Sequence, residues 1–171
     1  MTIAFVLVDI QEKFEPVIKD FDDIVKNSNI LVKSSKILKI PLIVTEQYPK
    51  GLGTISEKIK LPNVKKIEKI HFNCFASSEF SKQAKNYKSL VLFGIEAHVC
   101  VMQTCLDALD KGYKVYVVAD AVSSRSKKDK KMALNRMRQH GAEIVTTEML
   151  LFELLKKAGT DEFKKIQELI K

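Results

Sequence analysis

Residues 91–104, VLFGIEAHVCVMQT, decide the fold, because a strand, a tight connection and the start of a helix follow one another in a single run. Residues 89–93 read as a short apolar strand and residues 94–98 as the connection; from Val99 onward apolar residues recur at helical spacing. Cys100 therefore falls in a first helical turn. Unpaired backbone N–H groups and the positive end of the helix dipole favour an anion there, so the spacing predicts a thiolate-favouring site that also suits a negative substrate oxygen. For a cysteine taken alone, a buried structural role competes with this reading.

Outward from that run, strand and helix signals alternate along the chain, which argues for βαβ units and a parallel sheet. Residues 3–9 form an apolar run suited to a strand buried on both faces, and residues 40–45, 67–72, 113–119 and 143–145 are further strands. A helix with Asp20 as its N-cap carries Phe21, Ile24, Leu31 and Leu38 inward. Other helices are predicted over residues 78–85, from Val99 to a left-handed cap at Gly112, from Ser126 to Gly141, and over 147–158 and 161–170. The loop EQYPKGLGTIS after the second strand, with Pro49, Gly51 and Gly53, is a candidate cleft wall. No repeat or linker interrupts the pattern, so residues 1–171 read as one domain.

Hydrophobic content of 46% and charged content of 29% are those of an ordinary globular protein, and no apolar run is long enough for a membrane span. Nothing at the start has the basic leader or cleavage site of a signal peptide, so a cytoplasmic protein is expected. Cys74, Cys100 and Cys105 make an odd count without metal spacing, which argues against disulfides. Cys74 and Cys105 read as packing residues.

The net charge of +8 raises nucleic acid as a partner, and the basic residues cluster in SSRSKKDKKMALNRMRQH. There Arg125, Lys127, Lys128, Lys130, Lys131, Arg136 and Arg138 face only Asp129. Met132, Ala133 and Met137 give this segment an inward stripe, and no aromatic is interleaved for base stacking. It therefore reads as a solvated face, and nucleic acid is not among the expected partners.

Five pieces in order carry a family resemblance: VDIQEKF (residues 8–14), VTEQYPKGLG (44–53), the Lys69-x-x-Phe72 element, GIEAHVCVMQT (94–104) and VVADAVSSR (117–125). The chain resembles the isochorismatase-like hydrolases, the cysteine hydrolase superfamily that includes the nicotinamidases, and within it the small isochorismatase-domain proteins of unassigned substrate. The resemblance implies a three-layer α/β/α fold around a six-stranded parallel sheet of order 3-2-1-4-5-6. In that order the winding reverses between strands one and four. Asp9, ending strand one, and Cys100, following strand four, then meet at the switch point where such folds bind ligands.

The resemblance further implies a triad of Asp9, Lys69 and Cys100: a carboxylate to take the thiol proton, an ammonium to hold both anions, and a nucleophile. It implies an oxyanion hole from the backbone N–H groups of Glu96 and Cys100, with a cis peptide between Ile95 and Glu96. Nicotinamidases hold zinc through an Asp and histidines between strands two and three. The matching stretch here, TEQYPKGLGTISEKI, has no histidine, and His71, His98 and His140 lack ligand spacing, so no metal and no cofactor are expected. Phe14, Tyr48, Leu52, Phe72 and His98 are candidates to touch a small, partly apolar or planar substrate.

The resulting expectation is a metal-independent cysteine hydrolase of a small amide, ester or related molecule. Two other classes compete with it: a weakly active or non-catalytic binding protein that keeps the fold, and a redox-responsive thiol protein. Met149, Leu150, Phe152, Leu154 and Leu155 exceed one helical stripe, which together with the habits of relatives points to a homo-oligomer.

Overall fold

The computed structural model describes residues 2–171. Six strands, β1 (Ile3–Val8), β2 (Leu42–Gln47), β3 (Lys66–Lys69), β4 (Ser89–Ile95), β5 (Lys114–Ser123) and β6 (Glu143–Val145), form one sheet in the order β3-β2-β1-β4-β5-β6. Every pairing is parallel. The helices are α1 (Phe21–Ile37), α2 (Pro49–Leu52), α3 (Ser78–Ala84), α4 (Met102–Asp110), α5 (Lys127–Gln139), α6 (Thr147–Leu155) and α7 (Asp161–Ile170).

Alternation along each strand sorts the core into two halves, since successive side chains leave opposite faces of a sheet. Val6, Val8, Ile43, Leu90, Leu92 and Val117 pack with residues of α3, α4 and α5 on one side. Phe5, Leu7, Val44, Val91, Phe93 and Val118 pack with α1 and α6 on the other. A central strand covered on both faces has no use for polar alternation, which explains the unbroken apolar run of β1.

Several boundaries differ from the sequence-based expectation. β2 runs on to Gln47 because polar side chains at its carboxyl end are satisfied inside the protein rather than by water. β3 stops at Lys69, where its carbonyl accepts from Tyr48 N–H at 2.8 Å, and the chain beyond it turns back over the Lys69 side chain. β5 extends to Ser123, and α6 ends at Leu155 because Lys156 has a left-handed φ of 64°. Asp20 stands at the start of α1 without capping it. Its carboxylate instead accepts from the Ser123 hydroxyl and pairs with Lys130 at 3.6 Å, tying α1 to the far end of β5.

The connection after β4 is a π-type turn, Ala97–Val101, that leads into α4. Such wide turns recur at functional sites, and this one carries Cys100. Among the described residues no helix is long and apolar enough to cross a membrane.

Candidate active site

β1 delivers the first component. Its last residue is Val8, and Asp9 follows with a left-handed φ of 51°, fully buried. A buried carboxylate needs partners, and Asp9 has two: the Thr45 hydroxyl donates to Oδ1 at 2.7 Å and Lys69 Nζ donates to Oδ2 at 2.7 Å. Gly94 lets this end of the sheet close up. It pairs with Val8 at φ +132°, and a Cβ there would run into the Val8 carbonyl oxygen.

Lys69, at the end of β3, reaches inward under four acceptors. Besides Asp9 these are Gln47 Oε1 at 2.7 Å, the Phe72 carbonyl at 3.1 Å and the His71 carbonyl at 3.3 Å. Burial disfavours its ammonium, yet the charge of Asp9 carries its pKa above the usual lysine value. The lysine is therefore a fixed positive charge inside the protein.

Cys100 lies close by, with its Sγ 3.9 Å from Gln47 Oε1. The expected low thiol pKa is not what its surroundings produce. Burial pushes the thiol up, the Asp9 charge adds to that, and Lys69 only partly opposes it, so the proton rests on sulfur. The local turn is outweighed first by burial, which disfavours the thiolate, and then by the Asp9 carboxylate in the same pocket. Cys74 is fully buried, its thiol pushed to about 11 chiefly by burial, and its N–H donates to Thr104 Oγ1 at 3.0 Å. Cys105 is fully buried, its thiol raised to about 12 by burial alone.

The Ile95–Glu96 peptide is cis. The Glu96 carboxylate is buried and accepts from Arg125 N–H at 2.9 Å and Arg125 Nε at 3.1 Å, which fastens the end of β4 to the chain leaving β5. His98 sits half-buried with Nδ1 2.9 Å from the Ser124 hydroxyl, so it braces the same junction. A cavity of about 530 Å³ opens beside β3, lined in part by Tyr48, Pro49, Ile70, His71 and Ser77, and of the three candidate triad residues only Lys69 reaches its wall. Tyr48 and Phe72 are each 52% exposed. Tyr48 lines this cavity, whereas Phe72 approaches the site through its carbonyl. Leu52 is half-buried on α2, and Phe14 packs against the α1-side core. Among the described residues no group of three or more His, Cys, Asp or Glu side chains is arranged to hold a metal ion.

Thr45 and Gln47 were not among the candidates read from the sequence, and both are central. Gln47 is clamped on all sides: its N–H donates to Gln11 Oε1 at 2.7 Å, its carbonyl accepts from Gln11 Nε2 at 2.9 Å, and its own Nε2 donates to the Ile70 carbonyl at 2.7 Å. The available signal was the run Thr-Glu-Gln at the carboxyl end of an otherwise apolar parallel strand. Buried polar side chains in that position need partners, and strand ends are where α/β folds build sites.

The fold and the cluster together define a doubly wound α/β protein with a buried aspartate–lysine pair and a cysteine at its topological switch point. The chain belongs to the isochorismatase family: the isochorismatase domain model matches residues 3–149. It is 43% identical over 166 residues to isochorismatase domain-containing protein 2 of Xenopus laevis, an alignment that covers 96% of this chain and 81% of that one. Among solved structures, that of the MAR1 ribonuclease of Caenorhabditis elegans superposes with a TM-score of 0.94 at 41% identity, covering 99% of this chain and 89% of that one. The YcaC protein of Escherichia coli, described as an octameric hydrolase of unknown specificity, superposes with a TM-score of 0.89 at 25% identity over 98% of this chain and 87% of that one.

Proposed function

We propose that this protein is a metal-independent hydrolase that uses Cys100 as nucleophile on a small amide, ester or related molecule. The observation that carries the reading is the Lys69–Asp9 pair, joined at 2.7 Å with side chains 1% and 0% exposed, whose lysine shares Gln47 Oε1 with the Cys100 thiol. Burying two charges is costly, and apolar packing of the same volume is often as stable, so the pair is best explained by chemistry. In the resting protein the thiol keeps its proton, and Asp9 is the base that removes it. As sulfur bonds to the substrate carbonyl carbon, the proton passes to Asp9 and the carbonyl electron pair moves to oxygen. Backbone N–H groups of Glu96 and Cys100 receive that oxygen. Collapse expels the leaving group, which takes the proton from Asp9, and leaves a thioester. Asp9 then takes a proton from the water that attacks the thioester carbon, and as the C–S bond breaks it returns that proton to sulfur, restoring the resting thiol. Lys69 keeps its charge throughout and offsets the negative charge that moves between sulfur and carboxylate.

Tyr48, Leu52, Phe72 and His98 are assigned to the substrate-contacting wall, with Phe14 in the packing behind them. The name ribonuclease carried by the C. elegans neighbour brings a phosphodiester into view, but a thiol nucleophile beside a single carboxylate suits a carbon electrophile better. We also place the protein in the cytoplasm as a homo-oligomer, as the octameric state described for the E. coli neighbour suggests. The test is a screen of the purified protein against ester and amide libraries, with and without a chelator. Turnover that is abolished in Cys100→Ala and indifferent to chelation is the expected result. Turnover that survives in Cys100→Ala, or that chelation removes, overturns it.

A further inference from the structure

The basic run that the sequence treats as a solvated face is placed by the fold beside the candidate site. Residues 123–140 carry seven basic side chains against the single carboxylate of Asp129, so six of the chain's net eight positive charges lie in this one segment. Most of it is α5, which packs against the Cys100-bearing turn through the shared core of Ala97, Cys100, Val101, Ala133 and Met137. Arg125, just ahead of α5, is bonded to Glu96, the residue that starts that turn.

Two cations of the run have carboxylate partners, Arg125 with Glu96 and Lys130 with Asp20. Among the described residues Lys127, Lys128, Lys131, Arg136 and Arg138 have none. Lys127, Lys131 and Arg138, spaced by four and seven, share one strip of the helix, and Lys128 lies next to it. Unpaired like charges held in a row repel one another, so the strip is a place where a polyanion is attracted at little cost in rearrangement.

We propose that this face binds the phosphate backbone of nucleic acid, laid along α5 beside the Cys100-bearing turn. The choice among polyanions follows from what the face lacks. A helix that lies on a lipid surface needs an apolar side to bury in it, and α5 has spent Ala133 and Met137 on the core, leaving only Met132 as an exposed large apolar residue. A stable protein interface needs an apolar centre, which a single methionine does not supply. A phosphate backbone needs only spaced cations. The absence of aromatics means that bases are not stacked or read, so binding should be weak, independent of sequence and strongly dependent on salt. This inference stands apart from the proposed hydrolysis, and it is tested by binding rather than by turnover.

The probe is a fluorescein-labelled oligouridylate of about 12 nucleotides, followed by anisotropy across a salt series. With four cations engaged, log K against log salt should fall with a slope of about −3, and Kd near physiological salt should lie at about 10⁻⁴–10⁻⁶ M. The triple variant Lys127→Glu, Lys131→Glu, Arg138→Glu should weaken binding by about tenfold or more. A matched triple, Lys26→Glu, Lys33→Glu, Lys36→Glu, makes the same change of net charge on the exposed side of α1, across the sheet, and should change it about twofold or less. Circular dichroism melting establishes that both triples fold. Equal weakening by the two triples, no binding by the wild type, a flat salt response, or stronger binding to phosphatidylserine vesicles than to the oligonucleotide would each overturn the proposal.

Discussion

Lys69 Nζ stands 2.7 Å from Asp9 Oδ2 with neither side chain reaching water, although sixty residues separate the two in sequence. The sheet order brings this about. β3 is two places from β1, so a lysine at the end of β3 must span the width of β2 to meet a carboxylate beyond the end of β1. Thr45 and Gln47 of β2 lie under that span, each bonded to one member of the pair.

Removing one charge of such a pair is worse than removing both. Asp9→Asn leaves the Lys69 ammonium buried without its counter-ion and should cost about 3–5 kcal/mol, whereas Asp9→Asn combined with Lys69→Met should recover part of that loss. Urea midpoints of the single and double variants measure it. A single variant as stable as the wild type would show that the ion pair is not held as described.

Reactivity of the three cysteines follows exposure, because all three thiols are raised. Cys100 is 6% exposed and both Cys74 and Cys105 are 0% exposed, so brief iodoacetamide treatment should modify Cys100 first. Since the proton rests on sulfur, the rate should still be climbing above pH 8 rather than levelling off near neutrality. Peptide mass spectrometry across a pH series is the measurement. A plateau below pH 7 would contradict the protonated resting thiol, and labelling led by Cys105 would contradict the geometry.

Much of this was legible in the sequence, for physical reasons that also explain the rest. Parallel strands buried on both faces announce themselves as apolar runs, and Gly112 and Gly141 mark helix ends through positive φ values of 83° and 103°. The meeting of Asp9 with Cys100 followed from the sheet order that the family resemblance supplied. By contrast, the end of β2 was displaced because Glu46 and Gln47 look like loop residues when read by polarity, and that of β3 because the chain after Lys69 turns back to give its carbonyls to the Lys69 ammonium. The side-chain partners of the β2 residues, Thr54 for Glu46 and Lys69 for Gln47, lie in later segments of the chain. The thiol's protonation state was misjudged for the same reason: the dipole of a local turn is visible in sequence, whereas the depth of burial is not.

Gly94 sets the spacing between β1 and β4 at the point where Asp9 begins. At φ +132°, with the Val8 carbonyl oxygen where a Cβ would lie, an added methyl group must push the strands apart. Gly94→Ala should therefore destabilise the fold by about 1–3 kcal/mol and, by moving Asp9, lower any hydrolysis further than the stability loss explains. Urea titration and turnover at a temperature where the variant is folded separate the two effects. A wild-type midpoint would mean that the close approach is not as drawn.

Stability should fall in alkali, and the direction follows from proton linkage. Cys74 is held at about 11 and Cys105 at about 12, and Cys100 is raised as well, each above the ordinary thiol value of 9.0, chiefly because burial disfavours the thiolate. Between the ordinary and the raised value the unfolded chain has lost the proton that the folded one keeps. Stability is therefore full below pH 9 and drains away above it, by roughly 1 kcal/mol per thiol per pH unit. The raised Lys69 adds a loss of the same sign above its ordinary 10.5. Urea midpoints from pH 7 to pH 11 test this: Cys105→Ala should show a shallower decline than the wild type. Parallel declines would remove burial of that thiol as a cause.

The surface of α6 bears on assembly. Leu150 and Leu151 are buried in the chain itself, and α7 covers one side of the helix, where the rings of Phe152 and Phe163 meet edge to face at 6.1 Å. Even so, Met149 stays 56% exposed and Phe152 41% exposed. α7 thus accounts for only part of the apolar excess of this segment, and a second copy of the chain related by a two-fold axis would cover the remainder. Met149→Glu with Phe152→Glu should turn an oligomer into a species of lower mass without unfolding it, since neither side chain belongs to the buried core. Light scattering across a dilution series, with wild type and variant compared, reads the outcome. A wild type that remains monomeric at high concentration rejects assembly altogether, and an oligomer that withstands both substitutions moves the interface to another face.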